Sequence, residues 1–427
     1  MDRPPARRAA PGRRHRHLVA AALAAASAGL AGCWIKSASD TTASASSCGA
    51  TTADYTASGT DQSAVLASGT VKALENAAVT SSSACSSSDD ASFYGTNAAI
   101  LATGGGTVTL TCGSVTTTGT GANGAFAYGS GSSITLSEVT IGCSGQFAHG
   151  VDAAGGGTLV LSNVDIATTG ANAAAIATDH GGGTVSVTGG TMTTAGADSP
   201  GLYSTGDVSV SGAAIAASGA EAAVVEGANS LALASTSLSG AKKWGVLVYN
   251  SMSGDASAGT GAFTMSGGSL AAAVGPLFYV TNTTAAIELT GVTVTATSGT
   301  ILKAAAGSWG TAGSNGGSAT FTASGQTLAG SVVADGYSAV TLKLADGSAL
   351  TGAVDAAGTA KAVVVSLDAT STWSLTADSV VTTITDGSAT FANIASNGHS
   401  VCYRGSANGS TSATYSLSGG GYLAPCS

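Results

Sequence analysis

The chain has 427 residues, of which 44% are hydrophobic, 9% charged and 5% aromatic, and Gly, Ala, Ser and Thr dominate the remainder. That is too apolar for a disordered linker and too poor in large side chains for an ordinary globular core, so it points to repeated units packed through small residues. The formal net charge of −9 falls further once a basic leader is set aside, which excludes nucleic acid and anionic lipid headgroups as natural partners.

Residues 1–32 read as a targeting segment. Arg3, Arg7, Arg8, Arg13, Arg14 and Arg16 precede an apolar run from Leu18 to Leu30 that is too short for a comfortable membrane span. The run ends in Leu30-Ala31-Gly32-Cys33, which resembles the bacterial lipobox, where small residues admit a signal peptidase ahead of a cysteine whose thiol carries diacylglycerol. The resemblance implies a mature chain beginning at a lipidated Cys33. Arg13-Arg14 lacks the apolar follow-up of a twin-arginine signal, since His15, Arg16 and His17 come next. The leader takes six of the 14 basic and one of the 23 acidic residues, leaving 8 against 22, or −14. No second apolar span follows, so the lipid is the expected membrane attachment, and Trp34 in place of an aspartate favours the outer membrane or cell surface. Residues 33–48, rich in Ser, Thr and Ala, read as a flexible tether.

Residues 49–394 carry the strongest signal, a repeat. Short alternating segments begin at Val108, Ile134, Leu159, Val185, Val208, Leu231, Phe263 and Ile287, at steps of 26, 25, 26, 23, 23, 32 and 24 residues. Alternation predicts strands with one face inward. Each unit closes with a second apolar stretch, such as that from Ala222 or Gly245, and bends at glycine runs such as Gly155 to Gly157 and Gly181 to Gly183. A unit of this size cannot bury its apolar face alone, so consecutive units must stack. The prediction is an all-β chain forming a single right-handed parallel β-helix, a solenoid of roughly a dozen rungs. No helical period is sustained, so no helix is expected.

From Leu328 the text becomes more specific. Asp346-Gly347-Ser348-Ala349-Leu350-Thr351-Gly352 and Ser371-Thr372-Trp373-Ser374-Leu375 resemble late rungs of the passenger domains of pertactin-like autotransporter adhesins, and the earlier rungs resemble the wider class of bacterial pectin-lyase-like β-helix repeat proteins. The resemblance implies an adhesive surface module. It departs from the family in its ending, because only a short tail follows where an autotransporter has a long β-barrel; the lipid is expected to replace the barrel as anchor. Residues 395–427 read as a cap over the end of the coil, stapled by Cys402 and Cys426. With Cys33 consumed by lipid, Cys48, Cys85, Cys112 and Cys143 complete an even set suited to disulfides in an oxidising compartment, with their pairing left open.

Chemistry is sparse. The mature chain has one arginine, Arg404, so it lacks the base that pectate lyase-like enzymes use, and nothing matches a polygalacturonase-like set of aspartates. The best catalytic constellation is His149, Asp152, Asp179 and His180. Aligning the glycine runs sets Ala153 opposite Asp179 and Asp152 opposite Thr178, one residue out of register, and polar residues marking a solvated bend explain that better than a site does. No catalytic residue, cofactor or metal is therefore assigned. Lys242-Lys243 reads as a solvated turn. Trp244, Tyr249, Phe278, Tyr279 and Trp309 fall within about three rungs, and the insertions Asn250 to Gly261 and Lys303 to Gly317 both precede strands of one type, so they should emerge on one side. Either these aromatics fill a wide part of the core, or Tyr249, Tyr279 and Trp309 mark a binding face for a glycan or a cell-surface protein. The expected function is an adhesive or structural surface lipoprotein without hydrolase or lyase activity; the alternative is a carbohydrate-binding or polysaccharide-cleaving β-helix.

Overall fold

The computed structural model describes residues 48–427; the leader, Cys33 and nearly all of the tether lie outside the described residues. Why these residues coil is visible in the ladder. Val108, Ile134, Leu159, Val185, Val208, Leu231, Phe263 and Ile287 pair in parallel, each directly over the last. All eight are buried, while the residues between them point outward, which is the strand period expressed in three dimensions. A second inward row, Ile141, Ile166, Met192, Ile215, Leu238 and Leu270, stacks after the bend in the same units.

The result is a parallel β-solenoid of about 15 turns. That is more than a dozen because the first rung, which pairs Ala53–Ala57 with Val71–Ser81, and the rungs beyond Leu328 coil without the repeated signature. A 23-stranded sheet runs along one side, an 11-stranded sheet from Val65–Ser68 to Ser331–Ala334 along another, and a 4-stranded sheet begins at Thr327–Ala329. Parallel pairing continues past residue 394: Val401–Ala407 stacks on Ser379–Asp386, and Tyr422–Pro425 on Val401–Ala407. Between those two last strands the chain turns back on itself, with Tyr415–Ser416 antiparallel to Tyr422–Pro425.

A glycine column makes one corner. Built Cβ atoms on Gly145, Gly170 and Gly196 would each lie 1.7–1.9 Å from a backbone oxygen of the rung before, so only glycine admits the approach.

One expectation fails. Ser88–Tyr94 is an α-helix, seven residues long. Ser87 caps its start, accepting the Asp90 N–H at 3.2 Å, Asp89 and Asp90 sit in its first turn, and Gly95 ends it at φ 64°. Those are ordinary start and stop signals, hidden in a segment too short to show a helical period.

Disulfides join Cys402 to Cys426 and Cys48 to Cys112, with Cα atoms 4.8 and 5.4 Å apart. Cys85 and Cys143 are unbonded. Cys143 ends an inward-facing strand segment, and burial pushes its thiol up to about 11, so it serves as a small core residue. The Cys402–Cys426 bridge closes a separation of 24 residues across the final rungs. Loop closure of that length predicts that the Cys402→Ala/Cys426→Ala variant loses about 3 kcal/mol, read as a lower urea midpoint. An unchanged midpoint contradicts a stabilising staple.

Candidate functional site

The site grows from the outer face of the 11-stranded sheet. Its strands run Val151–Ala154, Ile176–Thr178, Leu202–Ser204, Ala223–Glu226, Val246–Tyr249 and Phe278–Thr281 through the middle of the solenoid. One outward column reads Leu101, Phe126, Asp152, Ala177, Tyr203, Val224, Leu247, Tyr279 and Lys303. A surface of this composition cannot stay bare, and it does not. The helix covers one end, where Tyr94 meets Tyr128 with ring centroids 5.1 Å apart; beyond it, Trp309 lies on the sheet from the insertion that contains it.

The period-two alternation separates the aromatics. Phe278 points inward and stacks between Phe263 and Phe321 at 5.3 and 5.7 Å. Its neighbour Tyr279 points outward. Trp244 packs on Tyr279 at 4.9 Å, Trp309 on Tyr249 at 4.6 Å, and the two tryptophans meet edge to face at 6.5 Å. Of the three residues singled out as a binding face, Tyr249 and Trp309 line a cavity of about 380 Å³, while Tyr279 lies beneath Trp244 and is buried. The Trp309 loop is held from within. The Asn315 side-chain amide donates to the carbonyls of Gly307 and Trp309, both at 2.8 Å, and Asn282 bridges the two insertions, donating its side-chain amide to the Asn250 carbonyl at 2.7 Å and its backbone N–H to the Asn315 carbonyl at 3.0 Å.

Charged groups complete the cavity. Lys242 and Lys243 sit on an exposed bend, as expected, but Lys243 also reaches the cavity: its Nζ is 2.6 Å from Asp198 and 3.6 Å from Glu221, and 6.0 Å from the centre of the Trp244 ring. Burial raises the Glu221 carboxyl, with Lys243 opposing. Glu226 is buried behind the cavity wall, where it accepts the Tyr203 hydroxyl at 2.5 Å and the Ser251 N–H at 3.0 Å.

Asp152 and Asp179 share a face, which their sequence alignment did not suggest. Asp152 pairs with Ala177 and Ala153 with Thr178, although Gly157 pairs with Gly183, so the second unit has one extra residue in its bend. Asp179 therefore stands two positions beyond Asp152's partner, and both carboxylates leave the same face. Asp152 is wholly buried and neither of its oxygens has a hydrogen-bond partner. Burial, then the Asp179 charge, holds it well above the usual carboxylate range. Burial also pushes Asp179 up to about 7, with the Asp255 and Glu226 carboxylates adding to the rise and the His180 N–H, donated at 2.7 Å, opposing it.

The two histidines separate. His149 lines the same cavity as Asp179; its Nδ1 accepts the Ala174 N–H at 2.9 Å, and loss of solvent lowers its pKa to about 4, so the ring is neutral. His180 turns away to Asp255 at 3.5 Å and to the Phe93 ring at 5.0 Å. Arg404 is far along the coil, donating to the Ala360 carbonyl at 3.3 Å. Among the described residues no group of three or more His, Cys, Asp or Glu side chains is placed to hold a metal, and no helix is long and apolar enough to cross a membrane.

Sequence reasoning passed over Asp198, Glu221 and Glu226. Asp198 and Glu221 sit in the bends that precede Leu202–Ser204 and Ala223–Glu226, and Glu226 ends the latter strand, places where a carboxylate normally meets water. The chain matches no family model, no curated protein and no solved structure.

Proposed function

We propose that this chain is an exported adhesive solenoid, anchored to the outer membrane or cell surface through a lipid on Cys33, that holds a carbohydrate chain in the cavity beside Trp244, Tyr249 and Trp309. One observation carries the reading: tryptophan and tyrosine rings gathered on the outside of a rigid sheet, at the edge of a cavity of about 380 Å³ lined also by carboxylates. Flat rings supply the apolar face on which sugar rings stack, and carboxylates accept their hydroxyls. Loops on a rigid scaffold are where binding residues collect.

The leader and the Leu30-Ala31-Gly32-Cys33 sequence support the anchor, and the late rungs support a kinship with pertactin-like passenger domains whose β-barrel the lipid replaces. The charge of the mature chain disfavours acidic polysaccharides, and its lone arginine, Arg404, lies far along the coil, so the cavity lacks the arginine base of pectate lyase-like enzymes. Binding rather than cleavage is the better fit.

The test is a glycan array probed with the full-length chain and its Trp309→Ala variant. The wild type is expected to retain a subset of oligosaccharides, and the variant to bind them at least tenfold more weakly, about 1.4 kcal/mol, with an unchanged circular dichroism spectrum and melting temperature. A large loss of stability in the variant makes Trp309 a structural residue, and an array with no bound glycan refutes the carbohydrate reading.

A further inference from the structure

The cavity's chemistry goes past sugar binding in general to the kind of sugar. We infer that it selects rings bearing a free ammonium group, such as the glucosamine units of a de-N-acetylated polymer, over neutral and acidic sugars. The inference rests on the carbohydrate reading above and narrows it.

Three observations carry it. The aromatic cluster already holds two ammonium groups near its rings: Lys243 Nζ is 6.0 Å from the centre of Trp244, and Lys303 Nζ is 5.5 Å from that of Tyr279. Ring faces at such distances attract cations. Second, the charges at the cavity do not balance. Lys243 is engaged by both Asp198 and Glu221, and Asp179, which lines the same cavity, has no lysine or arginine ion-paired to it. Third, behind Asp179 stands Asp152, wholly buried, with neither oxygen hydrogen-bonded. Buried carboxylates without donors are costly unless they share a proton or receive a cation. An ammonium entering between the tryptophans and Asp179 answers that deficit, and a uronate repels it.

The coupling has a direction. Asp179 is held up to about 7 by burial and by Asp255 and Glu226, so a bound cation drives its proton off. Of the other groups facing it, Asp152 is raised by the same burial, and His149 across the cavity is already neutral. His180 is paired with Asp255 at 3.5 Å. Binding of a permanent cation should therefore strengthen as pH rises from 6 to 8.

The experiment is titration of the full-length chain with four probes: hexamers of glucosamine, N-acetylglucosamine and galacturonate, and a lysine hexapeptide. At pH 6 the glucosamine hexamer is expected to bind about tenfold more tightly than its N-acetylated form, and the galacturonate hexamer weakest. Asp179→Asn should shrink that preference several-fold, read as the ratio of the two affinities measured on the same variant. A second measurement needs no variant: affinity for an N-trimethylated glucosamine hexamer, whose charge does not titrate, should rise several-fold from pH 6 to pH 8. Equal or tighter binding of the N-acetylated hexamer, or a flat pH profile, overturns the ammonium preference and leaves the carbohydrate reading standing. A lysine hexapeptide bound as tightly as the glucosamine hexamer overturns the choice of a sugar. Failure of every probe overturns this inference, and the array decides the wider reading separately.

Discussion

Replacing Trp373 with alanine is expected to lower the unfolding free energy by about 4 kcal/mol, the largest effect of any single side chain considered. Trp373 has no exposed surface and lies in register between Leu350 of the rung before and Ile394 of the rung after. Its indole N–H donates to the Gly352 carbonyl at 2.9 Å, so truncation opens a cavity and strips a buried carbonyl of its donor. Each rung of a solenoid touches only its neighbours, so the damage should stay local. Hydrogen exchange should show the rungs from Thr327 onward losing protection while those around Val185 keep theirs. Uniform loss along the coil contradicts rung-by-rung stability.

Stability should also fall between pH 4 and pH 7. Burial pushes Asp179 up to about 7 in the fold, well above an ordinary carboxyl, so the native state holds a proton that the unfolded chain has released. A raised carboxyl stabilises fully below the unfolded value, and that contribution is lost as pH climbs through the folded one. The difference is on the order of 4 kcal/mol. Asp152, raised by the same burial, acts in the same direction. Thermal melts across this range should show a falling midpoint in the wild type and a flatter profile in Asp179→Asn. A midpoint that rises over the interval contradicts the buried carboxyl pair.

The coil was legible because its signal is redundant. The same inward position recurs from Val108 to Ile287, and a register slip of one residue would turn every one of those side chains to water. The site has no such redundancy. Whether Asp152 and Asp179 share a face depends on one extra residue in a single glycine-rich bend, which periodicity does not register. For the aromatics the same rule works at shorter range: Phe278 and Tyr279 are adjacent, so one is core and the other site, and only the inward partners Phe263 and Phe321 show which. Cys402 with Cys426 was readable because both follow the repeats. Cys48 with Cys112 was not, since it joins the start of the coil to a residue at φ 51° that interrupts a strand 64 positions later.

The most direct test of a sugar site at this cavity uses the chain's own tryptophans. There are four, Trp34, Trp244, Trp309 and Trp373. Trp244 and Trp309 line the cavity, and Trp373 is buried in the far rungs. Titration with the array's tightest-binding oligosaccharide should change the intrinsic fluorescence of the wild type and of Trp34→Phe alike, and should leave that of Trp244→Phe/Trp309→Phe unchanged. Saturable binding whose fluorescence change persists in the double variant places the sugar elsewhere on the coil and contradicts the assignment.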